Sequence, residues 1–119
     1  MTALAQEMPG IERIRARFVE LLDTRKTHIA QHALAAWDGE CTDVINTNLQ
    51  EAQNILHQIA GTAGTVGYPA LGATAQQCEA QIIAHLEGAY ADLAICPGEI
   101  IWCIDTFVEA CDAIITQGA

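Results

Sequence analysis

The chain has 119 residues, 51% hydrophobic and only 5% aromatic, with a net charge of −10. That length makes one domain, residues 1–119, with one real core. The acidic charge argues against a nucleic-acid partner. MTALAQEMPGIERIR lacks the basic region and apolar run of a signal peptide, and no apolar stretch approaches the roughly 18 residues of a membrane span. A soluble, cytoplasmic chain is expected.

Residues 1–9 read as a loose lead-in or a short extra helix ending at Pro9-Gly10. From Ile11 a long amphipathic pattern runs through Ile14, Phe18, Leu21, Leu22, Ile29, Ala33, Leu34 and Trp37, at spacings of three, four and seven. Asp38-Gly39 ends it, which predicts a first helix over about 11–37. His28 and His32 stand four residues apart here. No acid–histidine or cysteine constellation accompanies them, so they read as surface or boundary histidines and no metal site is expected.

A link, GECTDV, leads to a second helix over about 46–66, with Asn46 or Thr47 as its N-cap. Pro69 suits the first turn of a third helix, about 69–87, whose stripe is Leu71, Ala75, Cys78, Ile82 and Leu86. GAYADLAICPG is the least regular stretch. Beyond it Ile100, Ile104, Phe107, Cys111 and Ile114 fall at helical spacing, giving a last helix over about 97–116. Four amphipathic helices with short links predict an all-α fold, an antiparallel up-and-down four-helix bundle.

Cys41, Cys78, Cys96, Cys103 and Cys111 form no CxxC pair. They read as reduced thiols, mostly buried as small hydrophobes, rather than as a disulfide framework. The charge is unevenly placed. Arg13, Arg15, Arg17, Arg25 and Lys26 are the only basic residues, and everything after them carries eleven acids.

The second helix holds the unusual feature, His57 followed by Gly61, Gly64 and Gly67. Each glycine inside a helix costs about 1 kcal/mol relative to alanine, so the cluster needs a reason. On a wheel of about 100° per residue, Ala52, Leu56, Ile59, Ala60, Ala63 and Val66 fall in an arc centred roughly 130° from His57. Gln53 lies on the histidine's half, and Gly61 and Gly64 lie within about 40° of it. The imidazole therefore stands on a bare strip that another protein can approach closely. Gly67, near the edge of the apolar arc, suits a left-handed cap.

The stretch His57-Gln58-Ile59-Ala60-Gly61-Thr62-Ala63-Gly64-Thr65-Val66-Gly67, with Leu71 next, resembles the histidine phosphotransfer (HPt) domain of bacterial multistep phosphorelays. That family's pattern is His-x-x-Lys-Gly, then often small-Gly-x-x-Gly, then a leucine. The match is close over residues 49–71 and looser, at the level of helix pattern, elsewhere. The resemblance implies a phosphorelay intermediate that accepts a phosphoryl group on His57 from a receiver-domain aspartate and passes it to another receiver. Gly61, Gly64 and Gln53 would support the site. It also implies a stoichiometric carrier rather than a turnover enzyme, a monomer, and no cofactor of its own, magnesium coming with the receiver. The expected partners are a response-regulator receiver domain, a hybrid histidine kinase, or both.

An exposed imidazole is largely neutral at pH 7 and keeps one lone pair, which makes it competent toward phosphorus. No Gly-rich phosphate loop or catalytic triad competes with this reading. One departure stands out: the family lysine is Ala60 here. If the first two helices form a hairpin centred near residue 41 or 42, His57 faces the level of Arg25 and Lys26, and one of these would supply the missing charge. Docking would use the strip around His57 and exposed apolar residues of the first two helices. The alternative is a degenerate HPt-like adaptor that binds a kinase or receiver without carrying phosphate.

Overall fold

The computed structural model of the chain describes residues 9–118, and the notion of a separate short N-terminal helix lies outside them. The described residues form four helices and no strand: α1 (Pro9–Trp37), α2 (Thr42–Ala63), α3 (Pro69–Leu86) and α4 (Gly98–Gly118). Contacts run round a ring, α1 on α2, α2 on α3, α3 on α4 and α4 back on α1. This is the arrangement that short links between successive amphipathic helices impose.

Each helix enters the core along part of the stripe that its spacing defines; on α1 the expected stripe is cut short, since Ile11, Ile14, Leu34 and Trp37 are exposed where no other helix covers them. Phe18, Leu22, Ile29, Ala33 and Ala36 come from α1, and Ile45, Leu49, Ala52, Leu56, Ile59 and Ala63 from α2. Leu71, Ala75, Cys78 and Ile82 come from α3, and Ile100, Ile104, Phe107 and Cys111 from α4. Among the described residues one aromatic pair, Phe18 stacked on Tyr68 at 5.8 Å, bridges α1 to the α2–α3 turn. Small residues elsewhere let the backbones approach. Gly72 is buried with Ala63 Cβ 3.5 Å from the position its own Cβ would take.

Helix boundaries differ from the sequence expectation in one important place. α2 begins at Thr42, four residues early, so neither Asn46 nor Thr47 is its N-cap. Cys41 takes that position with extended backbone and no side-chain capping bond. The reason is burial: Ile45 and Leu49 continue the apolar stripe of Ala52 and Leu56 toward the N-terminus. Asn46, together with Thr42 at the start of the helix, fastens the irregular 87–97 connection instead. Thr42 Oγ1 donates to the Asp92 carbonyl at 3.2 Å, and Asn46 Nδ2 to the Ala91 carbonyl at 2.8 Å.

The α2–α3 turn is built at Gly67, which has φ of 99°. Tyr68 N–H donates to the Ala63 carbonyl at 2.8 Å, and Gly67 N–H to the Gly64 carbonyl at 3.2 Å. This pairing is a Schellman motif, with the glycine in the left-handed conformation that the sequence anticipated. Arg15 reaches over from α1, and its Nε donates to the Val66 carbonyl at 2.8 Å. Pro69 opens α3, as expected.

The α1–α2 turn uses a glycine for a different reason. A Cβ at Gly39 would lie 2.8 Å from Ile45 Cγ1 and 3.2 Å from two carbonyl oxygens of α1. Gly39→Ala should therefore cost about 1–3 kcal/mol in urea unfolding, from overpacking alone. Gly61→Ala, whose added methyl meets nothing within 4 Å, should stabilise by up to about 1 kcal/mol in the same titration.

Candidate functional site

His57 stands on the outer face of α2 with its side chain 73% exposed. Two features keep it open. The core stripe points the other way, and one turn onward Gly61 presents no side chain. The space around Gly61 and Gly64 is empty of other atoms where a Cβ would stand. The glycines are thus not packing contacts. They leave the approach to the ring bare.

The imidazole is nonetheless held. Its Nδ1 lies 2.7 Å from Oε2 of Glu79 on α3. A carboxylate only accepts, so the neutral ring donates its Nδ1–H and carries its lone pair on Nε2. Gln53 Nε2, one turn before His57 on α2, donates to the same Oε2 at 2.7 Å. The Glu79 side chain is only 13% exposed, so the two donors fix its carboxylate in the α2–α3 seam beneath a solvent-facing ring. Gln53 is where the sequence reading put it. Glu79 is not among the residues that reading selected.

Register explains the pairing. His57 and Glu79 lie eleven residues either side of Tyr68, at the end of the Gly67 turn, so the antiparallel hairpin brings them to one level. Reflecting His57 through the turn points to residues 77–81, where Glu79 is the one carboxylate. That signal was present in the sequence and requires only the turn's position to be read.

Arg25 and Lys26 take different places. Lys26 ammonium bonds to Asp112 of α4 and lies 3.9 Å from Asp23. The hydrogen bond with Asp112 holds its pKa above the ordinary lysine value. Its charge belongs to the α1–α4 contact. Arg25 lines a shallow groove between α1 and α2 with Ile14, Arg17, Phe18, Leu21 and Thr62. Thr62 is five residues past His57, about 140° round the helix. Arg25 thus shares a groove with the flank of α2 that carries Thr62, away from Glu79. Ile14 at the groove's edge is 57% exposed. Among the other histidines, His32 Nδ1 is bonded to Asn48 Oδ1 at 2.9 Å, and His28 is exposed.

The family model described as Hpt domain matches residues 13–115, most of the chain, and the chain belongs to the Hpt domain family. Neither a curated protein nor a solved structure matches it. Hpt domains are phosphocarrier modules of phosphorelays, working through histidine phosphotransfer with receiver domains and kinases. Among the described residues no helix is long and apolar enough to cross a membrane.

Nitrogen-15 NMR should find the neutral His57 ring protonated on Nδ1. Glu79→Ala should release that preference, so that the Nε2-protonated tautomer appears; an unchanged tautomer ratio would separate Glu79 from the ring's orientation.

Proposed function

We propose that the chain accepts a phosphoryl group on Nε2 of His57 from a receiver-domain aspartyl phosphate and passes it to the aspartate of another receiver. The observation that carries this reading is the exposed imidazole whose Nδ1–H is committed to Glu79. Nε2 attacks phosphorus, the N–P bond forms, and the acyl-phosphate P–O bond breaks with the receiver's carboxylate as leaving group. The ring gains positive charge as it does so, and Glu79, 2.7 Å away, offsets that charge on the side remote from the phosphoryl group. A phosphoryl group on a protonated ring is in turn a good donor to the next carboxylate. Most of the remaining work in phosphoryl transfer is positioning and charge stabilisation, which falls to the receiver and its magnesium. The domain turns over no small substrate.

Gly61 and Gly64 serve this step by leaving room for the receiver's loops beside His57. Gln53 serves it by fixing the Glu79 carboxylate. Arg25, with Arg17 and the exposed Ile14, meets the receiver along the α1–α2 groove, an apolar contact rimmed by positive charge. Arg25 then supplies attraction during docking in place of a lysine at position 60. The chain acts as a monomer in the cytoplasm, where receivers and hybrid kinases are met.

Incubation with a phosphorylated receiver tests the reading. The wild-type chain should acquire an acid-labile label, and His57→Gln should acquire none; an adaptor that only binds would stay unlabelled in both while still co-purifying with the receiver. Glu79→Ala should slow labelling about tenfold, since a charge-assisted hydrogen bond worth about 1.4 kcal/mol in the transition state has that effect. Gly61→Leu should fold and yet block transfer by shielding the ring. Arg25→Ala should raise the receiver concentration needed for half-maximal labelling and leave the saturated rate nearly unchanged, while Arg13→Ala should alter neither.

A further inference from the structure

Cys78 on α3 and Cys103 on α4 bring their sulfurs to 2.6 Å, although 25 residues separate them in sequence. Both are free thiols. Little further movement is needed to reach the S–S bond length of about 2.05 Å. Cys78 is 1% exposed, whereas Cys103 sits half-buried at the edge of the core, open on one side. We propose that Cys78 and Cys103 form an oxidisable dithiol site, which a peroxide converts into a disulfide joining α3 to α4.

The asymmetry of burial assigns the order of events. Burial, and then the hydrogen bond with Cys103, push the Cys78 thiol above the ordinary range, so it is a poor first nucleophile. Cys103 meets the oxidant. Its thiolate attacks one peroxide oxygen, the O–O bond breaks, and Cys103 becomes a sulfenic acid while hydroxide leaves. Cys78 sulfur then attacks the Cys103 sulfur, the S–S bond forms, the S–O bond breaks, and the thiol proton departs with the oxygen as water. Two thiols and one hydrogen peroxide give one disulfide and two waters, the thiols losing two electrons to the peroxide. The remaining cysteines differ in setting: Cys41 is exposed and Cys96 half-buried. Burial pushes the pKa of Cys111 up to about 12, which keeps it inert as a thiol.

The crosslink has a structural consequence. Cys78 immediately precedes Glu79, so the bond would anchor to α4 the turn of α3 that orients His57. The site itself does not depend on phosphotransfer, and its test needs no receiver. The full chain is treated with a small excess of hydrogen peroxide, its accessible thiols are blocked, and it is digested without reduction for mass spectrometry. The expected result is an intact mass lower by about 2 Da in a portion taken before blocking and digestion, and one linked peptide pair containing Cys78 and Cys103 in the digest. Thermal unfolding should shift upward by about 10 °C, and dithiothreitol should reverse all three changes. Formation should quicken as pH rises, since thiolate is the attacking species. Cys103→Ser should lose the mass change and the thermal shift, and Cys41→Ser should keep both. Oxidation of wild type to a sulfinic acid at Cys103 with Cys78 still a free thiol, or a Cys103 link between two chains, would overturn the proposal.

Discussion

The left-handed residue at the α2–α3 turn determines where Glu79 falls against His57. Gly67 lets Tyr68 and its own N–H groups close back on the carbonyls of Ala63 and Gly64, and α3 then leaves at a fixed register. Arg15, bonded to the Val66 carbonyl, clamps the same turn from a third element. Residues equidistant from Tyr68 meet across the seam, and the pair that matters is His57 with Glu79. Local backbone geometry at one glycine is thereby converted, ten residues away, into the tautomer of an imidazole.

Under the proposed phosphotransfer, two opposing requirements meet at that histidine. It has to be reachable, which excludes packing it into the core, and it has to be oriented, which a freely rotating surface side chain is not. The molecule divides the two demands between its faces. The ring is exposed and flanked by Gly61 and Gly64, while its partner carboxylate is largely sequestered and held by Gln53 as well. Helix stability is given up along the bare strip, since each glycine there could be an alanine without a clash. The core, drawn from all four helices, carries that loss.

The helices were legible because apolar residues recur at three, four and seven with little interruption, and His57 because glycine is so costly where it occurs. The early start of α2 escaped notice because GECTDV looks polar, and only Ile45 carries the stripe through to the turn. Glu79 escaped because periodicity describes one helix at a time, whereas its role arises between two. The same is true of Cys78 and Cys103. For Arg25 and Lys26 the hairpin argument supplies a level and no azimuth. A side chain at the correct height can still point to a different neighbour, as Lys26 does toward Asp112.

In the phosphotransfer we propose, the hydrogen bond between His57 and Glu79 uses the ring nitrogen that does not react. Loading the other nitrogen would therefore leave that bond in place. A carrier built this way would store its message as composition rather than shape. The direction in which the message travels would then be set outside it, by the receivers that visit.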